Sequence, residues 1–218
     1  MLPVHLRVLY LHGFASSPES RKARFFSERL QQHGLTVDTP DLVEGNFSKL
    51  TITGQLKVVQ QSLNGQSCIL IGSSLGGYLA ALYAARHAEV ERLILLAPAF
   101  HFHKLWTERL TREQLSHWKE SGTIPVFHYG AGRELPLEYR FMEDAARYEP
   151  LPSFPQPTLI FHGTGDDVVP FESSAEFART HDNVRLVPLP SGHELTDVLE
   201  EIWRESERFV LGPFSNSE

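Results

Sequence analysis

Residues 67–87 read SCILIGSSLGGYLAALYAARH. The apolar run CILI at 68–71 has the length and β-branched content of a buried strand. It breaks at 72–77, GSSLGG, and an Ala/Leu/Tyr-rich segment with strong helix propensity then runs to His87. Strand, sharp turn and helix with G-x-S-x-G at the turn form a nucleophile elbow, which lifts a serine onto a strained backbone position. The chain can double back there only if the residues two before and two after the serine lack bulk. Ser74 has Gly72 and Gly76 at those places, whereas Ser73 would have Ile71 and Leu75. Ser74 is therefore the candidate nucleophile. The helix behind it directs its N-terminal amides to where negative charge would develop.

The rest of the chain supplies strands on both sides of this unit. VLYL at 8–11, 35–39, 91–97, 158–162 and 184–189 read as strands, and the segments between them carry helical patterns. Alternation of this kind implies an α/β fold with a mostly parallel sheet flanked by helices. Ser17 as N-cap and Pro18 at the first helical position would open the first helix, which Gly34 stops. Residues 52–63 and 172–180 are further helices, and 194–210 is the last. The tail from Gly212 onward is expected to fray.

Residues 101–150 break the rhythm and read as an insertion between two core strands, a candidate lid in an otherwise single domain spanning 1–218. Thr111 and Gln114 suit a capping box for a helix ending before Gly122. Pro136 would open a second helix, with Leu137, Phe141, Ala145 and Tyr148 at helical spacing. Trp106 and Phe141 are candidate substrate-pocket residues on this helical cap.

Composition narrows the function classes. A net charge of −7 with interspersed signs offers no basic block for nucleic acid or an anionic membrane. The N-terminal apolar stretch is interrupted by His5 and Arg7, which reads as neither a signal peptide nor a membrane span. One cysteine, Cys68, excludes a disulfide framework and fits a reducing compartment, so a cytoplasmic location is expected. No dinucleotide fingerprint or phosphate loop is present, and His101 and His103 lack the further ligands of a recognised metal motif. Neither cofactor nor metal is expected. Nothing in the sequence bears on the oligomeric state.

In an open parallel sheet the ligand binds at the carboxyl ends of the strands, and that rule filters the polar residues. His193, in PSGHE at 190–194, follows the last strand; Asp166, in HGTGDD at 162–167, follows the strand before it. His181 and Asp182 lie at the opposite end. A serine nucleophile needs a base and an acid to orient it, and the order Ser74, Asp166, His193 suits an elbow strand followed by later strands. His12 and His162 each precede a glycine at a strand end, where hydrogen bonds to the loops beneath the site are expected.

These residues carry a resemblance. YLHGF at 10–14 followed by SSP at 16–18 and a basic/Ala run, GSSLGG at 72–77, TGD at 164–166 and the loop at 192–193 resemble α/β-hydrolases over nearly the whole chain. More narrowly, they resemble small bacterial esterases of the YqiA type. The resemblance implies Ser74, Asp166 and His193 as a catalytic triad, the backbone N–H groups of Phe14 and Leu75 as the oxyanion hole, and a small acyl ester or thioester as substrate. The aromatic insertion at 101–150 is larger than that pattern. A peptidase or acyl-CoA thioesterase would use the same machinery, and a ligand-binding protein could keep the fold without turnover.

Overall fold

The computed structural model describes residues 6–43 and 45–212. In chain order these form β1 (Arg7–Leu11), α1 (Arg21–Gln31), β2 (Val37–Asp38), a 3₁₀ turn (Phe47–Lys49), α2 (Ile52–Leu63), β3 (Cys68–Ser73), α3 (Leu75–Ala84) and β4 (Val90–Leu96). The insertion follows, with α4 (Phe102–Arg109), α5 (Arg112–Ser121), β5 (Thr123–His128), β6 (Arg133–Glu138) and α6 (Arg140–Ala145). The core then resumes with β7 (Thr158–Gly163), α7 (Phe171–Arg179), β8 (Val184–Leu189) and α8 (Leu199–Leu211).

Six strands form one sheet in the order β2-β1-β3-β4-β7-β8, and each neighbouring pair is parallel. Every residue of β3 and β7 is buried, as strands covered on both faces require. Alternate side chains feed two cores. Val8, Tyr10, Ile69 and Ile71 pack with Phe26 and Leu30 of α1 and Ile202 and Trp203 of α8. Leu9, Leu11, Leu70 and Leu95 pack on the other face with α2, α3, Phe177 of α7 and the insertion. All carboxyl ends therefore point one way, and the loops after β1, β3, β7 and β8 gather at one edge.

Three local expectations need correction. The first helix starts three residues later than expected: Ser20, not Ser17, is the N-cap, its hydroxyl accepting from the Ala23 amide at 3.3 Å. Pro18 lies in the loop before it. Residues 194–198 form a loop, so the last helix begins at Leu199. The third correction concerns the insertion, which is not wholly helical. Pro136 lies inside a strand, paired with Pro125 across an antiparallel hairpin of β5 and β6, and only Arg140–Ala145 is helical. A two-stranded hairpin has no interior strand, so neither proline removes a ladder bond that an interior strand would need. Alternation explains the choice: Ile124, Val126 and His128 turn inward with Leu135 and Leu137, while Thr123, Pro125, Phe127 and Pro136 are exposed. The capping box of Thr111 with Gln114 is present, and Gly122 ends that helix at φ 79°. The tail expected to fray lies, beyond Gly212, outside the described residues.

Candidate active site

Ser74 sits between β3 and α3 with φ 54° and ψ −117°, an unfavourable backbone position for a residue with a side chain. The surrounding backbone holds it there. Its amide donates to the Leu96 carbonyl at 2.9 Å, and its carbonyl accepts from the amides of Gly77, Tyr78 and Ala99. Space is limiting on both sides. A Cβ at Gly72 would overlap the backbone of Gly76, and one at Gly76 would overlap the carbonyls of Leu11 and His12. The same packing presses α3 onto the end of β1 and brings the loop after Leu11 beside the serine.

The loop after β7 supplies a carboxylate whose four contacts are all visible. Asp166 Oδ1 accepts from the amides of Val168 at 2.8 Å and Val169 at 2.7 Å. Oδ2 accepts from His193 Nδ1 at 2.8 Å and lies 3.1 Å from His162 Nε2. The side chain is fully buried. Burial alone would push the carboxyl pKa up, but hydrogen bonds from His162, His193 and the Val169 amide outweigh it and hold the group well below the usual carboxylate range. Asp166 is therefore an anion at neutral pH. Asp167, its neighbour, is exposed.

His193 completes a chain of contacts. With the proton on Nδ1 donated to Asp166, Nε2 is left as acceptor 3.0 Å from Ser74 Oγ. Two loops must meet closely to allow this. The amide of Thr164 donates to the Leu189 carbonyl and that of Gly165 to the Ser191 carbonyl. A Cβ at Gly163 would overlap the backbone of Ser191 and Gly192, so glycine is required where the two loops touch.

The two other strand-end histidines brace the surroundings. His12 Nδ1–H donates to the Gly13 carbonyl, and its Nε2 accepts from the Leu42 amide. Burial pushes its pKa down, which keeps this neutral tautomer. His162, fully buried, has Nε2 3.0 Å from the Val169 carbonyl, and its Nδ1 accepts from the Ser174 hydroxyl at 2.7 Å. His101 and His103 bring no metal cluster together. His101 faces Glu176 at 3.5 Å, and no group of three His, Cys, Asp or Glu among the described residues could hold an ion.

Ser74 and His193 open on a cavity of about 760 Å³. Its walls include Phe14, Phe102, Leu105, Trp106 and Val168. Trp106 thus lies on the wall. Phe141 lies behind it, fully buried and stacked on Phe14 with ring centroids 5.6 Å apart. Among the described residues, no acceptor in the protein takes the amide of Phe14 or of Leu75. The sequence reading missed three contributors: Gly163, Lys22 and Arg109. Lys22 lines the cavity and reaches the loop of His193. Arg109, also lining the cavity, leaves α4 to donate to the Val168 carbonyl beside Asp166.

Comparison with known proteins identifies the fold family. The model of the family described as Uncharacterised protein family UPF0227 matches residues 7–208. The chain belongs to that family. It is 27% identical over 259 aligned positions to the AB hydrolase superfamily protein YisY of Bacillus subtilis, covering 96% of this chain and 91% of YisY. It is 30% identical over 209 positions to monoacylglycerol lipase abhd6-B of Xenopus laevis, covering 89% of this chain and 57% of that lipase. Among solved structures, Est1E from Butyrivibrio proteoclasticus superposes with a TM-score of 0.77 at 23% identity, covering 95% of this chain and 87% of Est1E. The fold is that of the α/β-hydrolases, and the relatives are hydrolases, esterases and lipases. Among the described residues, no helix is long and apolar enough to cross a membrane.

Proposed function

We propose that this protein hydrolyses carboxylic esters through an acyl-enzyme on Ser74. The observation that carries the reading is the continuous chain Ser74 Oγ–His193 Nε2, His193 Nδ1–Asp166 Oδ2, set on a strained elbow at the cavity floor. His193 takes the proton from Ser74 as Oγ attacks the ester carbonyl carbon. Asp166 fixes the imidazole tautomer and stabilises the imidazolium that forms. The carbonyl oxygen, now carrying the negative charge, turns to the unpartnered amides of Phe14 and Leu75, and the end of α3 adds its dipole. Collapse expels the alcohol, which leaves with the proton from His193. Water then attacks the acyl-enzyme, His193 again accepting the proton; as the second tetrahedral intermediate collapses, His193 returns that proton to Ser74 Oγ and the carboxylic acid departs.

The apolar wall suits an acyl chain, and the names of the esterase and lipase relatives point to ester substrates. Residues 101–150 supply much of that wall and are the proposed lid of a single domain. The lone cysteine, buried Cys68, keeps the cytoplasm as the proposed compartment. The test is turnover of p-nitrophenyl esters by the wild type, Ser74→Ala and Ser73→Ala, with matched thioester and amide substrates alongside. Ser74→Ala should lose on the order of 10⁶ in kcat, while Ser73→Ala keeps ester turnover. Ester turnover surviving in Ser74→Ala within a few-fold would refute the reading. Faster turnover of the thioester or amide would move the substrate class, and no turnover of any would leave a binding protein.

A further inference from the structure

Lys22 stands where two physical rules disfavour a lysine. It is the second residue of α1, in a first turn that holds no acidic side chain, where the positive end of the helix opposes cations. It is also buried, on the same face as Phe26 and Leu30, one and two helical repeats further on. Burial pushes its pKa down, against the pull of Glu194 and Asp166. An apolar side chain of equal length would avoid the cost of desolvating an ammonium, which a single hydrogen bond offsets only in part. A residue that breaks local rules without a gain in stability is expected where function imposes it.

The partner of Lys22 indicates what that function is. Nζ donates to the backbone carbonyl of Glu194 at 2.8 Å, on the residue that follows His193. The Glu194 carboxylate is 3.8 Å away and 77% exposed, so water screens it and the carbonyl is the principal partner. The bonded peptide is the one that enters Leu195, whose φ of 55° is unfavourable for a bulky side chain. On the near side of His193, the Ser191 carbonyl is held by the Gly165 amide. The loop is thus pinned before the histidine by the Asp166 loop and after it by Lys22.

We propose that Lys22 is a positioning residue for His193, holding the strained Glu194–Leu195 peptide so that Nε2 stays within reach of Ser74 Oγ. The proposal rests on the esterase reading for its kinetic readout, but the loop itself can be observed without turnover. Three proteins are compared: wild type, Lys22→Met and Lys22→Arg. Each is measured for kcat and KM on p-nitrophenyl butyrate, for thermal midpoint, and for deuterium uptake across 191–196.

Lys22→Met should move the thermal midpoint by no more than a few degrees, because relief from burying an ammonium offsets the donor lost to the Glu194 carbonyl, and should leave KM within twofold. Its kcat should fall about 10- to 100-fold, the cost of a small misplacement of a reacting group. Uptake in 191–196 should rise, and Lys22→Arg should restore most of the kcat and the protection. Should Lys22→Met fail to fold, Lys22→Gln is read by the same criteria. A kcat within twofold of wild type together with unchanged uptake would overturn the proposal. A wild type without ester turnover would sink the esterase reading instead, and the uptake of 191–196 would still decide for or against the role of Lys22.

Discussion

Replacing Asp166 by Asn changes one oxygen to an NH₂ group while keeping shape and volume. The four contacts of the carboxylate dictate the consequence. Oδ1 takes two backbone amides and Oδ2 faces two imidazoles, so every neighbour is a donor. An amide has only one oxygen to offer. If that oxygen stays with Val168 and Val169, the NH₂ group faces His193, whose Nδ1 must then give up its proton and become an acceptor. The remaining proton moves to Nε2, which can no longer accept from Ser74. If the amide turns round, the two backbone donors lose their acceptor inside the protein. Each such unmet buried group costs about 1–3 kcal/mol, so the first arrangement prevails and catalysis suffers more than stability.

The charge-assisted bond that orients the reacting imidazole is lost, worth about 1.5–3 kcal/mol or roughly 10–10² in rate, and the wrong tautomer at Nε2 adds to that loss. A serine protease with the same change loses about 10⁴ in all, so a fall of about 10²–10⁴ is expected. Asp167→Asn, at an exposed side chain, is the control and should stay within a few-fold of wild type. The assay is kcat on p-nitrophenyl butyrate, with circular dichroism to establish folding. A folded Asp166→Asn protein losing less than tenfold would refute the argument. So would an Asp167→Asn protein that proves to be the crippled one.

Other perturbations follow from the geometry of the site. Gly163→Ala should force the 190–193 loop away from β7, costing about 1–3 kcal/mol of stability as an overpacked site and at least about tenfold in kcat; unchanged kinetics would show that the loops can part freely. Trp106→Ala, on the cavity wall, should change the preference across a series of acyl lengths, whereas Phe141→Ala should mainly lower stability by about 3–5 kcal/mol; an unaltered length profile in Trp106→Ala would remove the insertion from specificity. The depressed pKa of Asp166 makes its charge stabilising above the unfolded-state value near about 4. The stability difference between wild type and Asp166→Asn should therefore be constant at neutral pH and shrink as pH falls below that value, and urea titrations showing it grow with acidity would contradict the sign.

Much of this was legible in residue patterns because the relevant constraints are local. The glycines around Ser74 follow from how tightly a strand must turn into a helix, and the apolar runs at 8–11, 68–71 and 158–162 are long enough to be buried strands. The loop positions of Asp166 and His193 follow once parallel strands put their carboxyl ends together. Where the constraint is tertiary, the pattern misled. Leu137, Phe141 and Ala145 share helical spacing, yet Leu137 lies in β6 and the other two in α6. The period-two alternation of Ile124, Val126 and His128 was the competing signal, and pairing with β6 decided it. The basic run RKAR at 21–24 concealed that Lys22 shares the buried face of Phe26 and Leu30, a spacing that could have singled it out. The requirement for glycine at 163 had no local signature, since the backbone it spares belongs to residues 191 and 192.

Covalent trapping tests most directly whether Ser74 is a nucleophile that His193 activates. The folded wild type is treated with a fluorophosphonate, digested, and the modified peptide located by mass spectrometry, with His193→Ala treated in parallel. The prediction is a single adduct on Ser74 in the wild type and labelling slowed by orders of magnitude in His193→Ala. No adduct on the folded wild type, an adduct on Ser73, or equal labelling of the two proteins would contradict it.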